Sequence, residues 1–177
     1  MKIHPLMAIA GALTCFGLGA SVYSEKTERY TARLISAISE AGTDVVFQRC
    51  SNEEEYGRYS HSVDEEGFFI TDVLTVCTNK TDMTNKQFVW ETLAHEATHV
   101  AQACDGIGVS GVAAKELTRG VSDRYSIDEI KEYYDEEDWD MEFEAFYMEA
   151  APEADVIDMV TTACADNVGG SEITPKD

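Results

Sequence analysis

His95-Glu96-Ala97-Thr98-His99 is the stretch of this chain whose residue types and spacing could do chemistry. Residues four apart on a helix lie one above the other on a single face, so both imidazoles can reach one metal ion. Neutral imidazole is a preferred zinc donor, and catalytic zinc keeps three protein ligands plus an open position for water. Glu96 would stand beside the ion rather than on it. There its carboxylate can take a proton from a water whose pKa the ion has lowered toward about 7, and later hand it to a leaving amine. The pattern therefore points to Zn2+-dependent hydrolysis of a peptide bond, with His95 and His99 as ligands and Glu96 as general base. Two alternatives belong to other classes. One is an exported zinc-binding protein without hydrolytic activity; the other is an acidic, disulfide-stapled binding module in which the spacing is fortuitous.

A third ligand must come from elsewhere. No histidine follows His99, and Gln102 stands where the metzincin pattern has glycine, which leaves a carboxylate. The richest segment is Trp139-Asp140-Met141-Glu142-Phe143-Glu144-Ala145-Phe146. Here the chain resembles the Glu-zincins, HExxH zinc metallopeptidases whose third ligand sits in a Glu-Ala dipeptide on a downstream helix. That resemblance implies a small zincin-like domain and carries the ligand role to Glu144. The apolar stripe Trp139, Phe143, Phe146, Tyr147 and Ala150 puts Glu142 nearer the buried face, so Glu142 stays open as the alternative. A second resemblance covers residues 76–104 only. Val76-Cys77-Thr78-Asn79, His95-Glu96-x-x-His99 and Cys104 are similar to the mitochondrial metallopeptidases that process an ATP-synthase subunit. Gln102 departs from the Asp of that family, and its third-ligand segment is not reproduced at 142–145.

Positioning these groups requires a helix around the motif. Phe88, Leu93, Ala97, Val100, Ala101 and Cys104 recur at helical spacing until Gly106 and Gly108, and Thr84 with Gln87 reads as a capping pair. A helix over Glu25–Ala41 is expected to precede a sheet of Val45–Phe47, Tyr56–Val63 and Phe68–Cys77, short and antiparallel. Further helices are expected around Gly111–Leu117, Ser126–Tyr134, Trp139–Ala151 and Glu153–Ala165, with Ser126 and Glu129 as a second capping pair. The fold class is thus α+β. In zincins an edge strand pairs with the substrate backbone, and Phe69–Val76 is the candidate. Gln102, on the same helix face as His99, is expected to be solvated, and His61 to be an ordinary strand residue. Tyr133, Tyr134 and Tyr147 could donate to an oxyanion, with core packing the expectation for each.

The remaining composition narrows the setting. A chain of 177 residues suits one domain. Its 13 Lys+Arg against 34 Asp+Glu give a net charge of -21, which repels nucleic acid and anionic lipid and excludes those partners. A peptide or protein substrate remains, and the charges do not set an oligomeric state. Lys2, an apolar run over Leu6–Gly19 and the small residues Gly19-Ala20-Ser21 read as a signal peptide over 1–21. A domain over 22–166 and a loose polar tail over 167–177 follow. Secretion or periplasmic export is expected, with an uncleaved N-terminal anchor facing outside as the alternative; Cys15 sits in a poor lipoprotein context. Cys50, Cys77, Cys104 and Cys164 then make two disulfides, with three connectivities open.

Overall fold

A computed structural model describes residues 19–51, 55–63 and 69–165 of the chain. Among these described residues six helices and a three-stranded sheet form an α+β architecture: α1 Gly19–Glu40, β1 Asp44–Gln48, β2 Gly57–Val63, β3 Phe69–Cys77, α2 Lys86–Asp105, α3 Ala114–Ser122, α4 Ile127–Tyr133, α5 Trp139–Met148 and α6 Glu153–Ala163. Most of the expected leader (1–21) and all of the polar tail (167–177) lie outside the described residues. Among the described residues no helix is long and apolar enough to cross a membrane.

The sheet is mixed, not antiparallel. Its order is β1-β3-β2, with β1 parallel and β2 antiparallel to β3. Val45-Val46-Phe47 signals a strand but not its direction. Direction comes from the connection, which must cross the end of β3 to reach its other side, and there Cys50 is bridged to Cys77. β3 is therefore central, which corrects its expected place as the edge strand. Leu74, Thr75, Val76 and Cys77 are buried in succession, as a strand covered on both faces requires.

α2 crosses the middle of the molecule. Trp90, Leu93, Ala94, Ala97, Val100 and Ala101 bury one stripe against Leu34 and Ile38 of α1, Leu74 and Val76 of β3, and Val156, Met159 and Val160 of α6. Each large aliphatic side chain so buried contributes roughly 1.5–3 kcal/mol, which is what fixes the rotation of α2 about its axis. A second cluster of Val121, Ile130 and Phe143 joins α3, α4 and α5. The Cys104–Cys164 bridge ties the end of α2 to the end of α6.

Local details shift some boundaries. Asn85, not Thr84, caps α2: its Oδ1 accepts from Phe88 N at 3.2 Å, while the Thr84 hydroxyl donates to Asp82 at 2.6 Å. Asp82 removes Thr84 from the cap, and Gln87 donates to Glu91 instead. Ser126 does cap α4, accepting from Glu129 N. α3 starts at Ala114 rather than Gly111, because Gly111 sits at φ +67°, a left-handed conformation outside any helix.

Candidate metal centre

α2 presents His95 and His99 one turn apart, with ring centroids separated by 5.0 Å. α5 packs alongside and brings Glu142 to both. His95 Nε2 lies 3.3 Å from Glu142 Oε2, and His99 Nε2 lies 3.5 Å from Oε1. Among the described residues these three could hold a metal ion, their donor atoms all lying within 4.8 Å of one another. Glu142 is buried, and its Oε2 has no hydrogen-bond partner.

The far sides of both rings are also engaged. His95 Nδ1 lies 2.9 Å from Glu149 Oε1, and Glu149 in turn receives the Tyr125 hydroxyl. His99 Nδ1 lies 2.8 Å from Gln102 Oε1. With acceptors on both Nδ1 atoms, the Nδ1 positions carry hydrogen, and each ring, when neutral, turns an Nε2 lone pair toward Glu142. Lone pairs then face a carboxylate that is itself only an acceptor. Burial pushes the His95 imidazole down, but Glu142 and Glu149 at its two nitrogens and the charge of Glu96 outweigh it and hold its pKa well above the usual value. The metal-free ring therefore takes up a proton at Nε2, which a bound cation would displace. Burial, reinforced by the charge of His95, lowers that of His99.

Glu96 points to the sheet. Its side chain rests on Gly57 at the start of β2, where an added Cβ would fall 2.7 Å from Cγ and from Oε1. It also accepts a backbone hydrogen bond from Tyr59. Since Cys77 N donates to Tyr56 O, alternation along the ladder turns the backbone groups of Gly57, Tyr59 and His61 to the outer edge of β2. That outer edge is the one Glu96 touches. Burial and the charge of Glu142, partly offset by His95, push the Glu96 carboxyl up to about 7.

The expected site residues thus divide. His95, Glu96, His99 and Glu142 come together. Glu144, the residue expected from the Glu-Ala dipeptide, does not join them: its oxygens accept from Gln102, Gly108 and Ser110. Gln102 is buried rather than solvated. Tyr134 lies by the cluster, where burial first and then Glu142 and Glu96 hold its phenol far above its ordinary value. Tyr133 is half exposed, and Tyr147 packs against Gly120 of α3. His61 stacks on Tyr59, outside the three-donor group. Glu149 escaped the sequence reading, though its i,i+7 spacing from Glu142 would place it on the same face of α5.

Neither the curated proteins nor the solved structures compared with the chain give a match. A family described as "Domain of unknown function (DUF8637)" matches residues 33–165, which include both disulfides and every residue of the centre just described. With that match spanning most of its length, the chain belongs to the DUF8637 family.

Proposed function

We propose that the protein is an exported zinc peptidase built on a zincin-like domain, with His95, His99 and Glu142 holding Zn2+. The observation that carries this reading is the meeting of two imidazole Nε2 atoms and an unpartnered, buried carboxylate oxygen at one point. A buried polar atom without a partner costs about 1–3 kcal/mol, and more when charged. A divalent cation removes that cost at once. The spacing suits zinc: bonds of about 2.0–2.2 Å in a tetrahedron put donors roughly 3.4 Å apart. The 3.3 and 3.5 Å separations between histidine and glutamate match that edge. Three buried carboxylates, Glu96, Glu142 and Glu149, surround the point with little compensating charge; Arg124 reaches only the far oxygen of Glu149, at 3.9 Å.

Zinc, when bound, supplies Lewis-acid polarisation of the scissile carbonyl and lowers the pKa of the attacking water. Glu149 and Gln102 orient the two ligand imidazoles through their Nδ1 atoms. Glu96, seated against Gly57, takes the proton of the attacking water and returns it to the leaving amine. Tyr134 stands beside Glu142 as a donor for the developing oxyanion. With β3 central, an extended peptide would add to the outer edge of β2 instead. Two disulfides fit export to an oxidising compartment.

Turnover of unfolded protein substrates by Glu96→Gln tests the reading. Activity should fall by about 10²–10⁴-fold while zinc is retained. Undiminished activity would remove Glu96 from the mechanism, and no activity in the wild type with zinc bound would leave a non-hydrolytic zinc protein.

A further inference from the structure

Glu144 is fully buried, yet it is not among the groups that converge on the metal centre. Its carboxylate is saturated elsewhere. Oε1 accepts from Ser110 N at 2.8 Å and from Ser110 Oγ at 2.5 Å; Oε2 accepts from Gly108 N and from Gln102 Nε2, each at 3.0 Å. An ionised carboxylate only accepts, so the Gln102 atom facing it must be the amide nitrogen. The Met141 carbonyl, 3.1 Å from that nitrogen, imposes the same orientation. The Gln102 carbonyl oxygen is thereby turned onto His99 Nδ1 at 2.8 Å. A carbonyl oxygen also only accepts, so Nδ1 carries the hydrogen and Nε2 keeps its lone pair for the site.

We propose that Glu144 is a positioning residue for the metal centre: it fixes the amide orientation of Gln102, and through Gln102 the Nε2-ligating tautomer of His99. This rests on the zinc site proposed above and extends it by one shell. The same carboxylate anchors the turn that follows α2, since two of its four donors are backbone N–H groups of Gly108 and Ser110. The turn and the second ligand of the motif are therefore set by one buried charge. Glutamine at 144 has the same length but must set an amide N–H against one of these donors, so the hold on Gln102 Nε2 is weakened toward the Met141 carbonyl alone without loss of packing.

Long-range ¹H–¹⁵N spectra of the imidazoles in metal-free protein, with chelator-competition zinc titrations, test the relay on wild type, Glu144→Gln and Gln102→Leu. In the wild type at mildly alkaline pH, His99 should be a single Nδ1–H tautomer. In both variants the tautomers should mix and zinc affinity should fall about 10–100-fold, with full loading still reached at saturation. An Nε2–H His99 in the wild type overturns the proposal. So does a single Nδ1–H tautomer with unchanged affinity in the variants, or outright loss of zinc from a folded Glu144→Gln, which would make Glu144 a ligand. Should Glu144→Gln fail to fold, the wild-type spectrum and Gln102→Leu decide. A wild type that takes no zinc sinks the metal reading alone, because the tautomer is read on metal-free protein.

Discussion

Glu149 closes on His95 Nδ1 at 2.9 Å while Glu142, seven residues earlier on the same side of α5, faces Nε2 of the same ring. One imidazole is thus held between two carboxylates, of which the proposed centre makes Glu149 an orienting partner and Glu142 a fellow ligand. Carboxylates behind ligand histidines raise ligand basicity and fix ring orientation. Replacing Glu149 by Gln should therefore weaken zinc binding about 10–100-fold without changing stoichiometry at saturation. Chelator competition reads this directly, and an unchanged affinity would reduce Glu149 to packing.

Gly57 predicts a separation of activity from metal binding. A Cβ there would meet Glu96 at 2.7 Å, and both neighbours are constrained, one by the sheet and the other by α2. Gly57→Ala should move the carboxylate by a fraction of an ångström to an ångström and cost about 10²-fold in kcat, with zinc content untouched. Equal kcat in both proteins would show that the close approach has no part in the chemistry.

The two bridges close loops of 27 and 60 residues. On the chain-entropy view they contribute about 3.5 and about 4 kcal/mol respectively. Cys104 lies five residues beyond His99, so its bridge to α6 also holds the end of α2. A Cys104→Ala/Cys164→Ala double variant should lose more stability in denaturant titrations than Cys50→Ala/Cys77→Ala. The reverse order would place the more strongly stabilising constraint in the sheet.

Glu144 also sets a direction for acid stability. Burial pushes its carboxyl up, but hydrogen bonds from Gln102, Ser110 and Gly108 outweigh this and hold its folded value below the ordinary one. A group depressed on folding contributes stability that is fully present above its unfolded pKa and lost as pH falls through the folded one. Metal-free wild type should therefore lose stability as pH drops through the ordinary glutamate range and below. Glu144→Gln, less stable at neutral pH, should lose less over the same interval. Parallel pH profiles for the two proteins would contradict this.

How far the sequence reached can be followed along α2 and α5. Leu93, Ala97, Val100 and Ala101 recur at helical spacing, so α2 and the shared face of His95 and His99 were legible from local pattern alone. Strand positions were legible too, from β-branched runs, but the parallel pairing of β1 was not, because direction belongs to the connection and not to the strand. The third member of the cluster was harder. Glu142 and Glu144 are both buried, and periodicity on α5, which puts Glu142 nearer the apolar stripe, does not say what either one meets. Which partner is which depends on α2 lying on one side and the Gly106–Ser110 turn on the other, a tertiary fact with no local signature. Gln102 is buried for the same reason: α5 covers a face of α2 that its own sequence leaves looking solvated.

Zinc content of the purified protein, measured by elemental analysis beside His95→Ala, Glu142→Ala and Glu144→Ala, tests the metal centre most directly. The geometry predicts about one zinc per wild-type chain. It predicts loss with His95→Ala and with Glu142→Ala, and loading of Glu144→Ala when zinc is supplied in excess. Wild-type protein that stays free of zinc after reloading would contradict the centre altogether, and zinc that survives Glu142→Ala but not Glu144→Ala would contradict its third ligand.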